Sequence, residues 1–149
     1  MPNPKPITIL MADDDPDDRQ LTKEAFEEAR LANDLRFVED GVELLDYLHR
    51  RGKYADPDTS PRPGIILLDL NLPGTDGREV LEMVKADENL KRIPVVVLTT
   101  STDERDVDAC YRAGANSYVK KPVDLEGFMQ AIERLNGYWF EVVILPLET

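Results

Sequence analysis

Residues 64–74 read GIILLDLNLPG: four aliphatic residues in a row, then Asp69, then a break at Pro73–Gly74. A short continuous apolar run closed by turn residues predicts a strand buried on both faces. Such a strand belongs in a parallel sheet with helices on either side, and its one charge stands where the chain leaves the core. Four more runs of the same kind occur, ITILMA (7–12), LRFV (35–38), PVVVLT (94–99) and SYVK (117–120). Between them the apolar residues recur at helical spacing. Leu21, Ala25, Phe26 and Ala29 share a face, as do Val42, Leu45 and Leu48, then Val80, Leu81 and Val84, and finally Leu125, Phe128, Met129, Ile132 and Leu135. A weaker fourth helix carries Val107, Cys110 and Tyr111.

Strand and helix thus alternate five times, which predicts an α/β fold with a doubly wound parallel sheet and the first, third and fourth strands at its centre. Helix starts are marked by Asp15 before Pro16 and by Thr102 before Asp103 and Glu104. The stretch 52–64, rich in Pro, Asp and Gly, reads as an exposed loop. After the fifth helix an apolar and aromatic tail, GYWFEVVILPLET (137–149), goes beyond what such a sheet needs. The expected division is a domain over 6–136 and an extension over 137–149.

The chain has 149 residues, 30 of them acidic and 18 basic, for a formal charge of −12. A surface so acidic repels the phosphates of nucleic acid, which argues against a DNA- or RNA-binding role. A single cysteine, Cys110, precludes an internal disulfide and suits a reducing cytoplasm. The sequence has no apolar run of the roughly 20 residues that a membrane span requires. We therefore expect a cytoplasmic protein without a membrane segment.

In a doubly wound sheet, ligands bind beyond the carboxyl ends of the strands. Asp13 and Asp14 follow the first strand and Asp69 the third, so adjacent strands would bring three carboxylates together. Their mutual repulsion calls for a cation, and Mg²⁺ suits a site of carboxylates, a carbonyl and waters. Thr99 closes the fourth strand with a hydroxyl, and Lys121 follows the fifth. A metal, an ammonium and a hydroxyl around one carboxylate form a site suited to phosphoryl transfer, with Asp69 as nucleophile. Strand alternation sends Lys120 to the opposite face from Lys121.

The segments ADDD, LLDLNLPGTDG, VVVLTTS and SYVKKP resemble, residue by residue, the motifs of the receiver domain of two-component response regulators. The resemblance implies a flavodoxin-like (βα)5 fold with strand order 2-1-3-4-5 and a C-terminal apolar extension. It also implies that Asp69 is the phospho-acceptor, with Thr99 and Lys121 beside it. Mg²⁺ or Mn²⁺ would be held by Asp13, Asp14, Asp69 and the backbone carbonyl of Asn71. Thr99 and Tyr118 would act as the switch pair, and Asn71 and Ser101 would flank the phosphoryl group. The donor would be a sensor histidine kinase, and the protein would signal through altered partner or self-association with no DNA-binding output domain and no turnover of substrate. SPRP, ILLDLNLP, DGREVLE, LKRIPVVVLTTS and the tail YWFEVVILP resemble more particularly the stand-alone regulators paired with bacterial phytochromes, which implies a phytochrome-type kinase. A homodimer built around Tyr138, Trp139 and Phe140 is expected, since aromatics anchor interfaces.

Other readings compete. The run DDDPDD reads equally as a solvated helix start, above all for Asp15, Asp17 and Asp18, because acids are favourable at a helix N-terminus. Asp13, Asp15, Asp17 and Glu24 match calcium-loop spacing, but Asp18 replaces the glycine that loop needs, and a strand precedes it. A Mg²⁺-dependent phosphohydrolase with an aspartate nucleophile would want a second acid where Asn71 stands, and a nucleotide switch would want a phosphate-binding glycine loop.

Overall fold

A computed structural model describes residues 7–74, 76–100 and 103–137. The chain alternates β1 (Thr8–Ala12), α1 (Pro16–Glu28), β2 (Asp34–Val38), α2 (Gly41–Leu48), β3 (Ile65–Leu68), α3 (Gly77–Ala86), β4 (Val95–Thr99), α4 (Glu104–Arg112), β5 (Ser117–Lys120) and α5 (Leu125–Leu135), with one 3-10 turn at Gly52–Tyr54. All strand pairs are parallel, in the order β2-β1-β3-β4-β5. The expected doubly wound sheet is observed, and its three central strands are the three most continuously apolar runs.

The period-2 alternation of a strand divides the core in two. Leu10, Ala12, Ile66, Leu68, Val95 and Val97 face α2, α3 and α4, where they meet Leu44, Tyr47, Val80, Leu81 and Cys110. Ile9, Met11, Ile65, Leu67, Val96 and Leu98 face α1 and α5, against Phe26, Phe128 and Ile132. Central strands thus bury side chains on both faces, which is why their sequences show no polar alternation. Among the described residues, no helix is long and apolar enough to cross a membrane.

Among the described residues, each of the five α-helices is capped by an aspartate: Asp15, Asp40, Asp76, Asp103 and Asp124 each accept a backbone N–H from the first turn. A side-chain acceptor here satisfies a donor that the helix cannot. The start of α4 differs from expectation: Asp103 is the cap, its carboxylate taking the Arg105 N–H at 2.8 Å, and Thr102 lies outside the described residues. The face of α2 also differs. Val42 is 61% exposed, whereas Leu44, Tyr47 and Leu48 are buried. Tyr47 can be buried because its hydroxyl donates to the Pro61 carbonyl at 2.7 Å, so the aromatic body enters the core with its polar tip satisfied.

Candidate functional site

The ladder runs one step past the strands, and that step places the polar residues. Asp69 N–H donates to the Ala12 carbonyl at 3.0 Å, Asp13 N–H to Val38 at 3.0 Å, and Lys121 N–H to Thr99 at 2.6 Å. The residues just beyond β1, β3 and β5 are thereby held in sheet register at one edge, with Thr99 at the end of β4 between them. Each carboxylate then folds back on its own turn. Asp13 Oδ1 accepts the Asp15 N–H and Asp69 Oδ1 accepts the Asn71 N–H, both at 2.9 Å. One oxygen of each is fixed, and the other is aimed into the site.

These second oxygens converge on Lys121. Its Nζ lies 2.8 Å from Asp69 Oδ2, 2.9 Å from Asp13 Oδ2 and 2.5 Å from Asp18 Oδ2. Strands stand about 4.8 Å apart, so a lysine after β5 must extend its full stem over the end of β4 to reach β3 and β1. The centre is buried: Asp13 is 0% exposed, Asp69 4% and Lys121 8%. Burial works against the charge on Lys121, but the carboxylates of Asp18, Asp69 and Asp13 in contact with it outweigh that and raise its pKa above the ordinary lysine range. For Asp13, burial dominates and raises the pKa, with further upward pressure from Asp69, against the nearby Lys121 ammonium and the hydrogen bond from the Asp15 N–H. One ammonium shared among three carboxylates does not compensate the most buried of them. Asp13 Oδ2 is in ionic contact with Lys121 yet receives no hydrogen bond of good geometry.

Asp13, Asp14 and Asp69 each offer a carboxylate oxygen within 4.8 Å of the others. Three hard oxygen donors at that separation, one of them a buried oxygen lacking a directed hydrogen bond, suit a divalent cation of the Mg²⁺ or Mn²⁺ kind. Asp14 and Asn71 are exposed at the mouth, an open depression that also includes Asp15, Thr100 and Val123. Thr99 is fully buried, and Tyr118 is half-buried on β5 against the core on the α4 side. Lys120 is exposed, on the other face from Lys121. Tyr138, Trp139 and Phe140, together with Thr75 and Ser101, lie outside the described residues.

Asp18 is the residue that sequence reasoning missed. Its position groups it with Asp15 and Asp17 at the solvated helix start, but its carboxylate, 17% exposed, turns onto Lys121. Arg19 also belongs to the surroundings. Its guanidinium donates to the Asp13 carbonyl at 2.8 Å and pairs with Glu39 at 3.4 Å, bracing the turn after β1.

Residues 9–133 match the response regulator receiver domain. The chain belongs to that family. The response regulator Rcp1 of a Synechocystis species is 42% identical over 141 residues, spanning 95% of this chain and 94% of Rcp1. A solved Mn²⁺-bound form of Rcp1 superposes with a TM-score of 0.85 at 41% identity, covering 95% of this chain and all of the other. The phosphorylated cyanobacterial phytochrome response regulator RcpA gives 0.88 at 38%, covering 96% and 100%. A response regulator in red light signalling of R. palustris gives 0.89 at 37%, covering 95% and 99%. Receivers of this group thus include divalent-metal-bound and phosphorylated forms, and several are associated with phytochromes.

Proposed function

We propose that this receiver accepts a phosphoryl group on Asp69 from a sensor histidine kinase of the phytochrome type and signals by a change in its association with partners. The observation that carries this reading is the placement of Asp69 Oδ2 at 2.8 Å from Lys121 Nζ, within a cluster that includes Asp13 and Asp14. An Asp69 oxygen attacks phosphorus as the bond from phosphorus to the donor histidine nitrogen breaks, giving an acyl phosphate and returning the imidazole. Lys121 supplies a fixed positive charge to the transferred oxygens, where ionic hydrogen bonds are strongest. Thr99 donates its hydroxyl from the end of β4. A divalent cation held by Asp13, Asp14, Asp69 and the Asn71 carbonyl would offset the charge on the phosphoryl oxygens.

The acyl phosphate adds up to about two negative charges that must be met by Thr99 and Lys121, and Tyr118, on the strand leading to Lys121, would respond to that demand. We read the chain as a signalling module of the cytoplasm, not a turnover enzyme, since Asn71 stands where an aspartate phosphohydrolase needs its second acid. Self-association through the 137–149 extension belongs to the same proposal. The test is incubation with a small acyl or amide phosphate donor. We expect labelling of the wild type that requires Mg²⁺, and none of Asp69→Asn. Equal labelling of that variant would overturn the assignment.

A further inference from the structure

We propose that Asp18 is a berth for the Lys121 ammonium, a positioning residue that allows this lysine and a divalent cation to share one pocket. The inference rests on the metal reading of Asp13, Asp14 and Asp69 given above, and goes beyond it.

The site contains a conflict. Lys121 touches Oδ2 of Asp13 and Oδ2 of Asp69, and both carboxylates belong to the group whose oxygens converge for a metal. Two cations drawn to the same oxygens repel one another, strongly where water is scarce. An ammonium has three N–H donors. Here one is given to Asp69 at 2.8 Å, and the ammonium is also in ionic contact with Asp18 at 2.5 Å and Asp13 at 2.9 Å, so its surroundings are filled by carboxylates. If only Asp13 and Asp69 were present, an arriving divalent ion would have to strip the ammonium of its partners in a buried setting, a costly step.

Asp18 removes the conflict. It makes the shortest of the three contacts, yet it is not among the converging metal carboxylates. Its backbone sits in the first turn of α1, where its carbonyl accepts the Thr22 hydroxyl at 2.8 Å, and α1 packs by Ala25 and Phe26 into the core shared with α5. The carboxylate is therefore presented from a rigid element. When a cation takes Asp13 and Asp69, Lys121 keeps one full ionic partner at the site and stays within reach of Asp69.

The test is titration calorimetry with Mn²⁺ alone, as a double-mutant cycle. Asp18→Asn is expected to weaken Mn²⁺ binding by about tenfold, the scale of one charge-assisted hydrogen bond. In a Lys121→Met background the same change is expected to cost less than about threefold, the residue of a screened single charge. Asp18→Glu should retain most of the affinity. An undiminished affinity in Asp18→Asn, or an equal loss in both backgrounds, overturns the proposal, the latter because Asp18 would then act as a field charge only. Asp13→Asn separates the two levels: if it binds Mn²⁺ as the wild type does, the metal reading fails, whatever Asp18 does. A measurement on the unaltered protein guards against a variant that does not fold. At saturating Mg²⁺, the NMR coupling across the hydrogen bond from Lys121 Nζ to the Asp18 carboxylate should persist, and its disappearance refutes the berth.

Discussion

Replacing Lys121 by methionine removes the one ammonium that three carboxylates share. The stem is retained, so packing changes little and the effect is electrostatic. Breaking a buried ion pair from one side costs about 3–5 kcal/mol, because the remaining charge stays behind uncompensated. Asp18 is partly hydrated, and exposed pairs contribute little, so we place the loss at about 3 kcal/mol at pH 7.5 in the presence of a chelator. For a chain of this size that lowers the thermal midpoint by roughly 6–12 °C.

The pH dependence follows from linkage. With its pKa raised, Lys121 stabilises the fold everywhere below the ordinary lysine value, and this contribution fades only as the pH climbs through the raised one. Without Lys121, Asp13 keeps its burial and its Asp69 neighbour but loses the ammonium, so the folded variant binds a proton there more readily than the unfolded chain does. Its deficit against wild type is therefore full at neutral pH and shrinks as the pH falls through the carboxylate range. Mg²⁺ should also restore the variant, since a ligand that binds only the folded state stabilises it. Urea titrations at pH 7.5 and 5, with and without Mg²⁺, measure all three effects. A deficit below about 0.5 kcal/mol at pH 7.5, at the level of an ordinary surface change, or one that does not vary with pH, would refute the reasoning.

Two further expectations concern the scaffold. Gly77→Ala would place a Cβ 2.6 Å from Leu70 Cα and 2.8 Å from its carbonyl oxygen, both backbone atoms in the turn after Asp69. We expect a loss of about 1–3 kcal/mol in urea titrations, together with weaker Mn²⁺ binding because that turn carries Asn71. Lys85 donates from α3 to the carbonyls of Lys91 and Ile93 and to Asn116 Oδ1, at 3.1, 2.8 and 3.2 Å. Lys85→Met should cost about 2 kcal/mol while leaving Mn²⁺ affinity unchanged, as the ammonium sits at the opposite edge of the sheet.

What the sequence made legible was whatever depends on local pattern. The runs at 64–69 and 94–99 announce central strands because burial on both faces leaves no room for polar alternation, and the sheet topology then puts Asp13, Asp69, Thr99 and Lys121 at one edge. Asp18 was illegible for a physical reason. An acid in the first turn of a helix is favourable there in any case, and nothing within α1 distinguishes one that faces water from one that meets a lysine arriving from the last strand. The face of α2 differs from the apolar pattern because Val42 is exposed despite its hydrophobicity, while Tyr47 enters the core with its hydroxyl bonded to Pro61, a residue in a loop whose course no periodicity describes. The cap of α4 falls one residue later than the sequence suggests, on Asp103, because Thr102 and Asp103 are both cap-forming residues.

The five aspartate caps have a consequence for how the molecule meets its donors. Every helix of such a sheet begins at the edge where the strands end, so Asp15, Asp40, Asp76, Asp103 and Asp124 share that edge with Asp13, Asp14, Asp18 and Asp69. Basic residues gather at the other end, with Lys85, Arg112 and Arg134 in the last turns of their helices. The molecule is therefore electrically polarised along its strands, with a field that reaches about 10 Å into solvent at 0.1 M salt. Small anions drifting toward Asp69 travel uphill, while metal cations and any protein whose phosphorylated residue is rimmed by basic side chains travel downhill and arrive already oriented. Under the proposed function, discrimination between a free phosphate ester and a docking kinase would thus begin before contact, through the residues that start the helices.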